Sequence, residues 1–211
     1  MKDVRAVAEV FRKSHDRLHV LINNAGTVAY KRTLTVDSIE MQFAVNHLAP
    51  FLLTHLLLDI VKASAPARIV ITASGLHKTA HLYLEDLQRE KGYKPMGHYA
   101  ETKLMNIFFC YELARRLEGT GVTVNCFSPG FTNTGLGREF PTGMRFVMRM
   151  FGRSPRKGAR TGIYLATSPD IDGVSGKYFV NEKAVPSSDE THDRALGEKL
   201  WKMSEEMTGL P

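Results

Sequence analysis

Tyr99 and Lys103 lie four residues apart in His98-Tyr99-Ala100-Glu101-Thr102-Lys103, and Ser74 precedes them in Ile71-Thr72-Ala73-Ser74-Gly75. A phenol does little acid–base work at neutral pH, because its unperturbed pKa is about 10. An ammonium held close by favours the phenolate and lowers that value. On a helix, residues four apart share one face, so Lys103 is expected to depress the Tyr99 pKa. Ser74 could then bind a substrate oxygen while Tyr99 exchanges its proton. That is the polar half of a carbonyl–alcohol interconversion. The other half is a hydride, which no side chain can supply.

Such residues need a scaffold, and four short apolar runs read as buried strands: Leu18–Asn23, Arg68–Thr72, Val122–Phe127 and Lys177–Val180. Helical periodicity fills the intervals. Asp3–Lys13 places Val4, Val7, Ala8 and Phe11 on one face, and Asp37–Lys62 is long and mostly apolar. Tyr99–Glu118 stops at Gly119 and Gly121. Arg156–Thr167, where Gly158 and Ala159 permit close packing, and Asp193–Met207 complete the set. Strands alternating with helices predict an α/β fold, a parallel sheet with helices on both faces, in one domain spanning 1–211. In such sheets ligands bind beyond the strand C-termini. Asn23-Asn24-Ala25-Gly26, Ser74-Gly75 and Ser128-Pro129-Gly130 all follow strands there.

Composition narrows the function. The 211 residues suffice for one domain with a sizeable core, and 43% hydrophobic with 24% charged content is ordinary for a globular chain. The net charge of +6 concentrates in residues 138–160, where Met144, Phe146, Val147, Met148, Met150 and Phe151 interleave with seven Lys/Arg. That segment reads as a loop or helix with solvated cations, open to peripheral contact with an anionic membrane. No nucleic-acid reader motif accompanies the charge, so no nucleic-acid partner is expected. The apolar stretch from Ala49 to Val61 is too short to span a bilayer and carries His55 and Asp59. Cys110 and Cys126 read as reduced core thiols, and the chain as cytoplasmic, at most peripheral to a membrane. His77 and His81 lack a third ligand and read as loop polar residues, so no metal is expected. His98 reads as a solvent-facing neighbour of Tyr99, and Trp201 as packing for the last helix. Glu85 and Asp86 read as a solvated acidic face with no assigned role.

Asn23-Asn24-Ala25-Gly26, Val45-Asn46-His47, Ser74, Tyr99-x-x-x-Lys103 and Pro129-Gly130 occur in the order found in the short-chain dehydrogenase/reductase family, which the whole chain resembles. Asn46–Thr54, Glu112–Leu117, Ser175–Phe179 and the 25-residue step from Ser74 to Tyr99 resemble its retinol-dehydrogenase-like branch. The resemblance implies a Rossmann-like sheet and an NAD(P)-dependent oxidoreductase acting on a small apolar, retinoid-like alcohol, aldehyde or ketone. NADP is favoured over NAD by the branch. It implies Tyr99 as general acid/base, Ser74 as holder of the substrate oxygen, and Lys103 as partner of Tyr99 and of the nicotinamide ribose. Asn46 would hold a water continuing the proton path behind Lys103. Asn23, Asn24, Ala25 and Gly26 would line the adenosine side of the cofactor. Pro129, Gly130, Thr132 and Thr134 would receive the nicotinamide end.

Family members open with a strand–Thr-Gly-x-x-x-Gly-x-Gly–helix unit that binds the cofactor pyrophosphate. This motif does not occur in the 211 residues. The expectation is therefore a partial domain, N-terminally truncated with about four strands left, whose first strand becomes an unpaired apolar edge. Weak or no NADP(H) binding by this chain alone, and a tendency to aggregate, are expected with it. The alternative to an enzyme is a non-catalytic binding or heterodimerisation module of the same family, joined through the long helices 37–62 and 99–118. Homo- and hetero-oligomers are both compatible with the sequence.

Overall fold

A computed structural model describes residues 1–132 and 152–210. Thr134 and most of the basic, apolar segment 138–160 lie outside them. The described elements are helix α1 (Lys2–Ser14), strand β1 (Val20–Asn23), a helical stretch from Met41 to Ala63, and β2 (Ala67–Thr72). They continue with α5 (Pro95–Arg116), β3 (Val122–Ser128), α6 (Pro155–Thr167), β4 (Lys177–Val180), β5 (Lys183–Ala184) and α7 (Arg194–Thr208). The sheet order is β1-β2-β3-β4-β5; the first four strands are parallel and β5 runs antiparallel to β4. This is the expected α/β architecture, with one strand more than the apolar runs predicted. β5 is only two residues long and hydrophilic, so it has no hydrophobic signature. It forms because Asn181 and Glu182 both take positive φ (51° and 65°), the two-residue turn that suits a hairpin.

The strands bury both faces. Ile69, Ile71, Val124, Cys126 and Tyr178 pack under Phe51, Ile107, Cys110, Leu113 and Trp201, while Val70, Phe127 and Phe179 pack against Leu165 and Ile171. Period-2 alternation of two apolar sets is why these segments read as continuous hydrophobic runs. Both cysteines are free and buried in the first of these layers. β1 pairs on one side only, with β2, and Ile22 on it is exposed. On α1 only Ala8 is fully buried, and Val7, expected on the inner face, is exposed. The helix is tied down instead by Arg12, whose guanidinium donates to both Asp59 carboxylate oxygens (2.6 and 2.7 Å) and to the Leu56 carbonyl.

The long helix expected over 37–62 is four pieces: α2 (Met41–Phe43), a π-helical turn Ala44–Leu48, α3 (Ala49–Leu56) and α4 (Leu58–Ala63). It starts late because Glu40 is its N-cap, accepting from the Phe43 amide (2.8 Å). Helix α5 starts a turn earlier than expected, because Pro95 occupies its first turn, where the missing N–H costs nothing.

Helix α6 approaches the sheet through Gly158 and Gly162, one turn apart; Ala159, expected to share this role, is exposed. A Cβ on Gly162 would meet the buried Phe127 ring at 2.7 Å, and one on Gly158 would meet Thr132 at 2.6 Å. Gly162→Val is expected to destabilise the chain by about 2–3 kcal/mol despite the better helix propensity of valine, since overpacking outweighs a few tenths of a kcal/mol of propensity. A urea midpoint equal to that of the parent would show that the Phe127 ring swings aside.

Candidate active site

Ser74, Tyr99, Lys103 and Asn46 converge at the C-terminal end of β2. Ser74, two residues beyond the strand, keeps an extended conformation (φ −158°) and caps the 3-10 turn Gly75–Thr79, its Oγ accepting from the Leu76 amide at 3.2 Å. Tyr99 lies in the second turn of α5 and is 9% exposed. Burial pushes its phenol up to about 12, and hydrogen bonding with Ser74 only partly opposes that shift. Lys103 is almost fully buried, and burial pulls its ammonium down to about 8.

The lowering of Tyr99 by Lys103, expected from their spacing, is therefore absent. The ammonium sits over the phenol ring, 5.6 Å from its centroid, and donates to the Thr72 carbonyl at 3.1 Å. Its charge meets the ring face and a strand carbonyl rather than the phenol oxygen. Helical spacing put the two residues on one face, but the strand beneath decided where the ammonium points.

Asn46 stands in the π-helical turn, a local widening that recurs at functional positions. Its amide is engaged at both ends: Oδ1 accepts from the Thr27 N–H (2.7 Å), and Nδ2 donates to the Thr27 carbonyl (2.9 Å) and Thr102 Oγ1 (3.0 Å). It thus clamps the loop after β1 onto α5. Gly26 fits into this clamp, because a Cβ there would lie 3.3 Å from Asn46 Oδ1 and 3.4 Å from Lys103 Nζ. Asn23 donates to Thr54 (2.9 Å), and Asn24 accepts from the Thr72 hydroxyl (3.1 Å). Both side chains fix the loop, leaving Ala25 and Gly26 to present it.

The third loop carries Pro129, Gly130 and Thr132. Gly130 adopts φ +74° with the Arg153 guanidinium packed against it, 3.0 Å from where a Cβ would stand, so only glycine suits both demands. Thr132 Oγ1 closes the turn on the Pro129 carbonyl (3.2 Å).

Further residues position these, and apart from Ser128, already placed in the third loop, sequence reasoning gave them no such role. Ser128 Oγ accepts from the amides of Gly75 (3.1 Å) and Gly130 (3.2 Å), joining two loops. Asn106 donates to the same Thr72 carbonyl as Lys103 (3.1 Å) and meets the buried His47, which in turn reaches Ser204 (3.0 Å). His77 is fully buried, contrary to its reading as a loop polar residue: Nδ1 bonds the Ser74 carbonyl (2.7 Å) and Nε2 accepts from the Ser188 amide (3.1 Å). His81 is exposed and pairs with Glu190 (2.9 Å). His98 is also buried, contrary to expectation, between Glu40 and Glu101. Trp201 packs on Phe51 and Phe109 as expected. The available signal was adjacency: His47, His77 and His98 lie one to three residues from Asn46, Ser74 and Tyr99.

The donor set suits a nicotinamide ribose. An ammonium has three donors, and among the described residues Thr72 takes one from Lys103, leaving two for a ligand's hydroxyls beside the Tyr99 phenol.

The short chain dehydrogenase family model matches residues 1–144. Retinol dehydrogenase 14 of Mus musculus is 45% identical over the whole of this chain, which covers 65% of that protein, and polyprenol dehydrogenase of Homo sapiens is 39% identical with 67% covered. The chain thus spans about two thirds of the length of these relatives. Among solved structures, an uncharacterised protein from Mycobacterium paratuberculosis superposes with a TM-score of 0.76 at 29% identity, covering 98% of this chain and 71% of that one. The NADPH complex of a short chain dehydrogenase from Escherichia coli CFT073 shares the fold with a TM-score of 0.60 at 22% identity, covering 84% and 68%. Fold, site order and sequence agree: this chain belongs to the short-chain dehydrogenase family, in its retinol-dehydrogenase-like branch.

Proposed function

We propose that the chain is an NAD(P)-dependent oxidoreductase interconverting an apolar, retinoid-like alcohol with its aldehyde or ketone. The observation that carries this reading is the pairing of the Ser74 and Tyr99 hydroxyls with the buried Lys103 ammonium against the Tyr99 ring. The nicotinamide supplies the hydride acceptor or donor. Ser74 holds the substrate oxygen, and Tyr99 gives its proton to that oxygen in reduction or removes it in oxidation. Both donors are aimed where charge changes during the reaction. Lys103, with two donors open among the described residues, holds the ribose hydroxyls. Asn46 keeps Thr27 and Gly26 against that ammonium. In this reading Ala25 and Gly26, fixed by Asn23 and Asn24, line the adenosine side, and Pro129, Gly130, Thr132 and Thr134 receive the nicotinamide. NADP is the cofactor favoured by the branch.

An apolar substrate is supported by exposed Leu76, Met96 and Phe131, each within three residues of Ser74, Tyr99 or Gly130. The relatives named above are dehydrogenases of retinol and polyprenol, both long apolar alcohols. Among the described residues no helix is long and apolar enough to cross a membrane. Peripheral contact through 138–160 would bring the site to substrate dissolved in lipid.

The test is oxidation of NADPH, and separately NADH, by the purified chain with retinal, a long-chain aldehyde and a short hydrophilic aldehyde. With nicotinamide in large excess, to offset the weak binding expected without the pyrophosphate motif, turnover is expected with the first two and is expected to fall about a hundredfold in Ser74→Ala, the scale of losing one donor to a developing oxyanion. Absence of nicotinamide consumption with every carbonyl would overturn the reading.

A further inference from the structure

His98 is 1% exposed, and both of its ring nitrogens face carboxylates: Nε2 lies 2.8 Å from Glu40 Oε2 and Nδ1 lies 3.1 Å from Glu101 Oε2. An ionised carboxylate only accepts, so both contacts are hydrogen bonds only when both ring nitrogens carry protons. The Arg89 guanidinium forks onto Glu101, its Nε donating at 2.6 Å to the oxygen that faces His98 and its Nη2 at 2.5 Å to the other. Two carboxylates, one guanidinium and one imidazolium balance in charge, the condition for burying ions at tolerable cost. The Tyr93 ring covers the imidazole edge-on at 5.6 Å, and its hydroxyl is tied to the Ala29 carbonyl at 2.7 Å.

The two carboxylates belong to the two helical segments that build the site. Glu40 caps the helical stretch that leads to Asn46, and Glu101 stands on α5 between Tyr99 and Lys103. We propose that His98 is a positioning residue, an imidazolium gripped by Glu40 and Glu101 that fixes the segment bearing Asn46 against the helix bearing Tyr99 and Lys103. The Asn46–Thr102 bond is a second strut between the same segments. Losing the His98 proton would strip one carboxylate of a donor; Glu40 would keep the Phe43 amide on Oε2, while its Oε1 is buried without a partner among the described residues. The strut therefore loosens with alkali. Burial opposes the charge on His98, but the bonds from Glu101 and Glu40 outweigh it and raise its pKa. Both glutamates are held below the usual range despite burial, each bonded to His98.

The kinetic part rests on the proposed oxidoreductase activity; the spectroscopic part does not. In the intact 15N-labelled chain, both His98 ring nitrogens are expected to carry protons at pH 7. Their titration midpoint should lie above the ordinary histidine value of about 6.5, and the Asn46 side-chain amide resonances should move with that midpoint. Glu101→Gln should lower it. A neutral His98 at pH 7, or an Asn46 amide that stays still through the titration, would overturn the proposal without any variant having to fold. In kinetics, kcat of the parent should fall above the same midpoint. His98→Gln should remove that limb and lower kcat about tenfold with KM little changed, the scale of a small misplacement of catalytic groups. An unaltered pH profile in that variant would also overturn it. Absence of turnover in the parent would count against the activity alone, and the spectra would decide the strut.

Discussion

Tyr99→Phe is expected to lower kcat by about 10²–10⁴-fold, the contribution of a positioned general acid–base group, or roughly 3–5 kcal/mol of barrier. The variant removes one oxygen and keeps the ring. Lys103 therefore still has its aromatic face at 5.6 Å and its bond to the Thr72 carbonyl, and Ala100 and Leu104 still pack beneath the helix. The melting temperature should accordingly stay within a few degrees of the parent. Steady-state kinetics alongside a thermal melt checks both statements. A variant that keeps a third or more of parental kcat would mean that the proton moves through another group, and the assignment of Tyr99 would be withdrawn.

The second large effect is on stability in acid, and it comes from His47. Its imidazole is fully buried, and desolvation, opposed only by the contact with Asn106, pulls its pKa from 6.5 to about 4. The unfolded chain takes up this proton near pH 6.5 and the folded chain only near pH 4. Between those values the unfolded state binds more protons, so stability falls as pH falls. The displacement is worth on the order of 3 kcal/mol, all of it lost by about pH 4. His55 and His77 are also lowered, mainly by burial, and add slope of the same sign. The glutamates that are held down contribute in a lower window: their stabilisation is lost only as pH falls below the ordinary carboxylate range and through their folded values. His98 has the opposite sign, its contribution disappearing as pH rises through its raised pKa. Urea unfolding from pH 7 to pH 4 should show the loss, and His47→Gln should flatten it. An equal slope in that variant would show that His47 is not its source.

Much of this was legible beforehand, for reasons that differ by residue. Strands β2 to β4 are short runs of branched and aromatic residues buried on two faces, and that burial leaves its mark on composition. Ser74, Asn46 and the Tyr99–Lys103 pair were found as a set because their types are unusual together and their order matches a family. The environment of each was not legible. Whether an ammonium lowers a neighbouring phenol depends on where its nitrogen points, and the Thr72 carbonyl, 31 positions away, decides that. The π-helical turn at Asn46 adds no residue type that a periodicity would register. His77 read as a loop polar residue and His98 as a solvent-facing one because the partners that permit their burial, Ser188 and Glu40, are 111 and 58 positions distant.

The Thr72 carbonyl accepts from both Lys103 and Asn106, each at 3.1 Å. A carbonyl oxygen has two lone pairs, and both are spoken for here. The ammonium is thereby dimensioned from the sheet, with its own helix serving only as the arm that delivers it. The helix can adjust by fractions of an ångström while four flexible methylenes absorb the difference. Intolerance at Asn106 and at the register of β2 is the mutational pattern that such a construction imposes.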